Sequence, residues 1–168
     1  MSVSGMYLRR ICQQAILGAV CVGLFASVQV WAASVTSPGA KGPWRPSQLI
    51  TPQELMQELA HPRGLKPVIV CVGFKFLYEG AHIPGAVYEG PAREPAGMAK
   101  LRKWARSIPK GTPVVMYCGC CPFDRCPNVR PAFEVLREAG LTRLQILYIE
   151  RDFAHDWVAE KYPIQKGN

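Results

Sequence analysis

PVVMYCGCCPFDRCPNVRPAFEVLREAG, residues 113–140, decides how the rest of the chain is read. Pro113 to Cys118 is a continuous apolar run, short and β-branched at its start, which suits a strand buried on both faces. The Cys- and Pro-rich stretch after it cannot extend that strand. Phe133, Leu136 and Arg137 then fall on a helical repeat that Gly140 stops. Strand, tight loop and helix in that order form one half of a parallel α/β unit. Upstream, Val68 to Val72 is a second β-branched run, and Leu101, Trp104, Ala105 and Ile108 mark a helix stopped by Pro109. Further upstream, Thr51-Pro52-Gln53-Glu54 has the form of a capping box with proline at the first helical position. Leu55, Met56 and Leu59 extend that helix to a stop before His61-Pro62. Downstream, Leu144 to Ile149 reads as a third strand and Phe153 to Lys161 as a last helix. Strands alternating with helices predict a parallel sheet covered on both faces, with its site outside the carboxyl ends of the strands. Cys118 stands at such an end.

The 168 residues suffice for one domain and a targeting segment, and with 49% hydrophobic and 19% charged residues the chain falls in the globular class. Arg9 and Arg10 precede a nearly uncharged stretch from Ile11 to Val30, and Val30-Trp31-Ala32 offers small residues where a signal peptidase inspects the chain. Residues 1–32 therefore read as a signal peptide, residues 33–47 as a flexible leader rich in Pro, Gly and Ser, and residues 48–168 as the folded domain. The expected location is outside the cytoplasm, in the periplasm. A retained anchor is the alternative, since the apolar stretch is just long enough to span a bilayer. Twenty basic side chains less Arg9 and Arg10 leave 18 against 12 acids, a net +6 that serves solubility. No run of Lys/Arg and no basic stripe interleaved with aromatics points to nucleic acid.

Export alters the meaning of the cysteines. Of seven, Cys12 and Cys21 leave with the signal, and Cys71, Cys118, Cys120, Cys121 and Cys126 remain. An odd number in an oxidising compartment leaves at least one thiol unpaired, paired between chains, modified or metal-bound. A cysteine between a strand end and a helix N-terminus is a sound nucleophile, because loop N–H groups and the helix dipole favour a sulfur anion. Arg125, Arg130 and the Gly119 turn are the expected substrate-binding groups, the arginines for an oxyanion. Three thiols in Cys118-Gly119-Cys120-Cys121 lie too close together for simple disulfide pairing.

Further motifs sharpen this. Ala81-His82-Ile83-Pro84-Gly85-Ala86, the strand ending in Cys118, Ala139-Gly140, Trp157 and Tyr162-Pro163 occur in an order that resembles the rhodanese family from about Leu49 to Pro163. The resemblance implies a central five-stranded parallel sheet with helices on both faces. It also implies sulfur transfer through a persulfide on Cys118, with Cys126 as runner-up. The donor would be a small sulfur-containing anion such as thiosulfate, and the acceptor a thiol or other thiophile, including a protein. In this signature His82 is a structural loop residue. Neither a cofactor nor contact with a membrane after signal cleavage is implied. The chain departs from the family pattern in three places. Its active loop is about five residues longer than usual, Cys71-Val72-Gly73 stands where members carry Asp-x-Arg, and Arg151-Asp152 replaces Gly-Gly.

Two other functions are compatible with the residues. Cys118, Cys120, Cys121 and Cys126 together form a set suited to thiol redox chemistry or to a soft metal such as copper or zinc. A catalytically silent interaction domain is the third reading. Cys71 is expected near the loop as an accessory thiol with Cys120 and Cys121.

Overall fold

The computed structural model describes residues 43–167. In chain order the elements are β1 (Leu49–Ile50), α1 (Pro52–Ala60), β2 (Val68–Cys71), α2 (Lys75–Gly80), β3 (Val87–Tyr88), α3 (Pro95–Ser107), β4 (Val114–Tyr117), α4 (Val129–Glu138) and β5 (Leu144–Leu147). The five strands form one sheet in the order β1-β5-β4-β2-β3, and every pairing is parallel. β4 is central, and all four of its residues are buried. It pairs with β2 from Val68↔Val114 to Cys71↔Tyr117, so the two β-branched runs lie side by side.

Alternation along the strands divides the core in two. Val70, Val114, Met116, Cys118 and Ile146 pack on one face with Leu101 and Ala105 of α3 and Ala132, Phe133 and Leu136 of α4. Cys71, Val115, Tyr117 and Leu147 pack on the other with Leu55 of α1, Tyr78 of α2, Ile83 and Trp157. A sheet covered on both faces is what continuous apolar strands require. Local chemistry starts the helices where expected. The Thr51 hydroxyl accepts the Glu54 N–H at 3.2 Å while the Glu54 carboxylate accepts the Thr51 N–H at 2.8 Å.

The structure adds three elements in stretches to which the sequence reading assigned none: β1, α2 and β3. The two edge strands are two residues long, too short for any periodic signal. The last helix differs from its prediction. Residues 153–161 form only a single π-helical turn, Ala154–Val158, with Ala159 N–H bonded to the Ala154 carbonyl at 2.8 Å. The wide turn buries Trp157 fully and lets its indole N–H donate to the Pro163 carbonyl at 2.8 Å. His82, read as structural, is 1% exposed; its ring stacks on Tyr78 and its Nδ1 meets the Tyr78 carbonyl at 2.8 Å.

At the start of the described chain, Trp44 lies inside the segment read as leader yet packs edge-on against Phe133, with ring centroids 5.1 Å apart. The signal peptide, its cleavage point and residues 33–42 of the leader lie outside the described residues. Among those described, no helix is long and apolar enough to cross a membrane.

Candidate active site

β4 delivers Cys118 to the carboxyl edge of the sheet, where backbones approach unusually closely. A Cβ on Gly73 would sit 2.6 Å from the Cys118 carbonyl and 3.2 Å from its sulfur, so no side chain fits there. This is the third position of Cys71-Val72-Gly73, and the packing explains why a bare residue follows β2. Gly119 then adopts φ +73°, and its own Cβ would meet Phe153 at 2.7 Å. Its carbonyl accepts the Phe153 N–H at 3.0 Å, tying the loop to the π turn. The left-handed turn folds Cys120 back on Cys118.

The result is a sulfur cluster. Cys118 Sγ and Cys120 Sγ are 3.1 Å apart, and Cys120 Sγ and Cys121 Sγ 3.2 Å. A 3-10 turn at Phe123–Arg125 reverses the chain, so Cys126 Sγ also lies within 4.8 Å of Cys118 and Cys120. All five described cysteines are free thiols. Charge is shared unevenly among them. The Cys118 thiol donates to Cys120, and this bond, with that from Cys126, pulls Cys120 well below the ordinary thiol range. Its bonds to Cys120 and to Cys126, together with burial, push the Cys118 thiol up. One proton between two sulfurs makes them a coupled pair.

Asn128, which the sequence reading passed over, is the polar residue that organises this cluster. It is the N-cap of α4, yet its side chain makes no cap bond. Fully buried, it donates from Nδ2 to Cys118 Sγ at 3.3 Å and to Cys120 Sγ at 3.8 Å, and accepts the Arg93 N–H on Oδ1 at 2.8 Å. An Asn before a predicted helix normally signals capping alone, so the sequence held a cue to position but none to role.

Cys118, Gly119 and Cys120 open into a cavity of about 410 Å³, walled by Phe76 and Leu77 of α2 on one side and by Asp152 and Phe153 on the other. Phe76 is 69% exposed, an apolar lip on the opening. Asp152 is the cavity's acid. Its carboxylate accepts from His155 through both backbone and ring, and these bonds outweigh desolvation to lower its pKa. No Lys or Arg is among the described residues lining this cavity.

The other expected site residues are placed as follows. Cys71 lines the same cavity, but its side chain belongs to the opposite core from Cys118. Burial pushes its thiol up to about 11, against hydrogen bonds from the Gly73 backbone and the Tyr117 hydroxyl. Cys121 touches Cys120 but lies outside the group formed by Cys118, Cys120 and Cys126. Arg125 is exposed at the end of the 3-10 turn. Arg130 extends its guanidinium over Trp44, 5.7 Å from the ring centroid, and borders a separate groove beside Cys126. The structure thus does not bring the two arginines into the cavity at Cys118.

Comparison with known proteins identifies the class of fold. The rhodanese-like domain of the Alr3790 protein from Anabaena sp. matches in its solution structure with TM-score 0.54 and 18% identity, over 71% of this chain and 79% of that one. A crystal structure of the same protein matches with TM-score 0.54 and 18% identity, over 70% and 92% of the two chains. The BH2092 protein from Bacillus halodurans matches with TM-score 0.52 and 16% identity, over 71% and 77%. No family model and no curated protein matches the sequence. The five-stranded parallel sheet with helices on both faces is the rhodanese-like α/β fold.

Proposed function

We propose that this chain is a sulfurtransferase that lodges a sulfane sulfur on Cys118 and passes it to a thiophilic acceptor. One observation carries the reading: on a rhodanese-like fold, the cysteine at the end of the central strand sits in the wall of a cavity, hydrogen-bonded to a buried amide and to a second sulfur. As Cys118 attacks, the proton that its bond to Cys120 holds in the resting site is lost to solvent. The new S–S bond forms as the donor's bond to its outer sulfur breaks, and the donor leaves with that electron pair; for thiosulfate the product is sulfite. Attack by an acceptor thiolate on the outer sulfur of the persulfide then returns Cys118 as a thiolate, in the second of two displacements. Asn128 N–H donation favours the sulfur anion at each stage.

The cavity's chemistry bears on the donor. A dianion such as thiosulfate calls for a cradle of cations, whereas these walls are largely apolar with one carboxylate. An organic persulfide, with its charge at one end and an apolar body, suits them better. Export to the periplasm belongs to the same proposal, with a mature N-terminus at Ala33 or Ser34; N-terminal sequencing of the native protein that returned Met1 or Ser2 would refute it. The central test is intact mass spectrometry of the reduced protein before and after exposure to thiosulfate and to an organic persulfide. A gain of one sulfur atom that maps to Cys118 and vanishes in Cys118→Ser is expected. Sulfur mapped to Cys126, or full transfer by Cys118→Ser, would overturn the assignment.

A further inference from the structure

Cys126 has no part in the sulfur transfer described above, yet its position is closely controlled. Its N–H bonds to the Phe123 carbonyl at 3.2 Å, and the Phe123 N–H bonds to the Ile149 carbonyl at 3.1 Å just beyond β5. Phe123 itself is buried, packed against Tyr148 with centroids 5.0 Å apart. These contacts return the inserted loop to the sheet and bring Cys126 Sγ within 4.8 Å of both Cys118 Sγ and Cys120 Sγ. No His and no carboxylate belongs to this group among the described residues. We propose that Cys118, Cys120 and Cys126 form a three-coordinate site for Cu(I).

The geometry fits a metal–thiolate triangle. With a metal–sulfur bond of about 2.3 Å, the edge of a planar three-sulfur site is about 4.0 Å. The Cys118–Cys120 edge of 3.1 Å must widen by a rotation of the side chains, while the edges to Cys126 already lie within 4.8 Å. Each ligand rests on a different support: the end of β4, the left-handed turn at Gly119 and the 3-10 turn before Asn128. An all-thiolate donor set selects a soft ion, and three sulfurs match the low coordination of Cu(I) better than the four ligands of structural zinc. Asn128 supplies the outer shell, donating to two of the three sulfurs and so offsetting part of their charge. Cu(I) is delivered by exchange from a small thiol or chelate carrier. The ligating thiols lose their protons to solvent, and no electron is transferred.

This site shares two sulfurs with the transfer reaction but does not depend on it, and the test reads the metal alone. Fully reduced protein is titrated anaerobically with Cu(I) against a chromogenic Cu(I) chelator. One ion per chain is expected, with X-ray absorption showing three sulfur neighbours. Cys118→Ser, Cys120→Ser and Cys126→Ser should each lower affinity by more than about 100-fold, and Asn128→Ala by about tenfold. Cys121→Ser should hold the ion as the native protein does. Near-ultraviolet circular dichroism of each variant checks the fold, and Cys126→Ala repeats the key substitution without a hydroxyl. Failure to compete with the chelator, a stoichiometry above one, or equal loss in Cys121→Ser would each overturn the inference. The last result would indicate a four-thiolate site of the zinc type. A chain that binds one Cu(I) at these residues but never takes up sulfur would sink the transfer reading and leave this one standing.

Discussion

Asn128 departs from the habit of its residue type. An Asn at a helix N-cap ordinarily spends its side chain on the first turn; here both ends of the amide are committed elsewhere, one to Arg93 N–H and the other to sulfur. Asn128→Asp preserves the acceptor for Arg93 but removes the N–H donor and puts a carboxylate beside the thiols. We expect that variant to stay folded while the pH profile of cluster alkylation moves upward, with the rate at pH 7 falling about tenfold or more. Cys71 supports a second residue-scale prediction. Its thiol is raised from 9.0 to about 11 in the folded chain, so the folded state holds that proton more tightly than the unfolded state. The resulting stability is fully present below pH 9 and is lost as the pH rises from 9 towards 11. The loss is on the order of 2–3 kcal/mol by the linkage relation. Urea denaturation across that window should show the decline, and Cys71→Ser should make it shallower.

At the scale of elements, the chain is built from short pieces that need their ends secured. α1 spans nine residues, contributes one fully buried side chain, Leu55, and begins with the reciprocal Thr51–Glu54 bonds. Thr51→Ala should cost about 1 kcal/mol, measured as a lower denaturation midpoint with an unchanged slope, because m follows the surface exposed on unfolding. The capping box, β2, β4, β5 and the stop of α4 at Gly140 were all legible in the sequence, since each rests on neighbours within a few residues. β1, α2, β3 and the π turn were not. The edge strands exist only because β5 and β2 offer them a ladder. The π turn forms because burial of Trp157 and its bond to Pro163 override the ordinary helical period.

For the molecule as a whole, the cavity is the assembled feature: a strand-end loop, the exposed lip of α2 and the π turn meet at the carboxyl edge of one sheet. Its single acid is Asp152, whose carboxylate is hydrogen-bonded to His155. Asp152→Asn should therefore raise thiosulfate loading by about threefold or more, through removal of like-charge repulsion, and leave loading by an uncharged sulfane donor nearly unchanged. Parallel loading assays with both donors check this, and an equal response of the two would show that Asp152 acts through the fold and not through its charge.

The sequence by itself determined the α/β class, the parallel direction of the sheet and the strand-end position of Cys118. Those features follow from hydrophobic period and turn chemistry, which act over a few residues. Tertiary structure alone decided which sulfurs meet. Cys118 and Cys121 form the familiar Cys-x-x-Cys spacing, yet the left-handed Gly119 turn pairs Cys118 with Cys120, and the Phe123–Arg125 turn brings in Cys126. It also turned Arg130 onto Trp44 and Asn128 onto the thiols. The physical reason is range: side-chain hydrogen bonds and ring contacts in this fold join residues separated by up to 89 positions, as Phe133 and Trp44 are, and no local pattern records such a meeting.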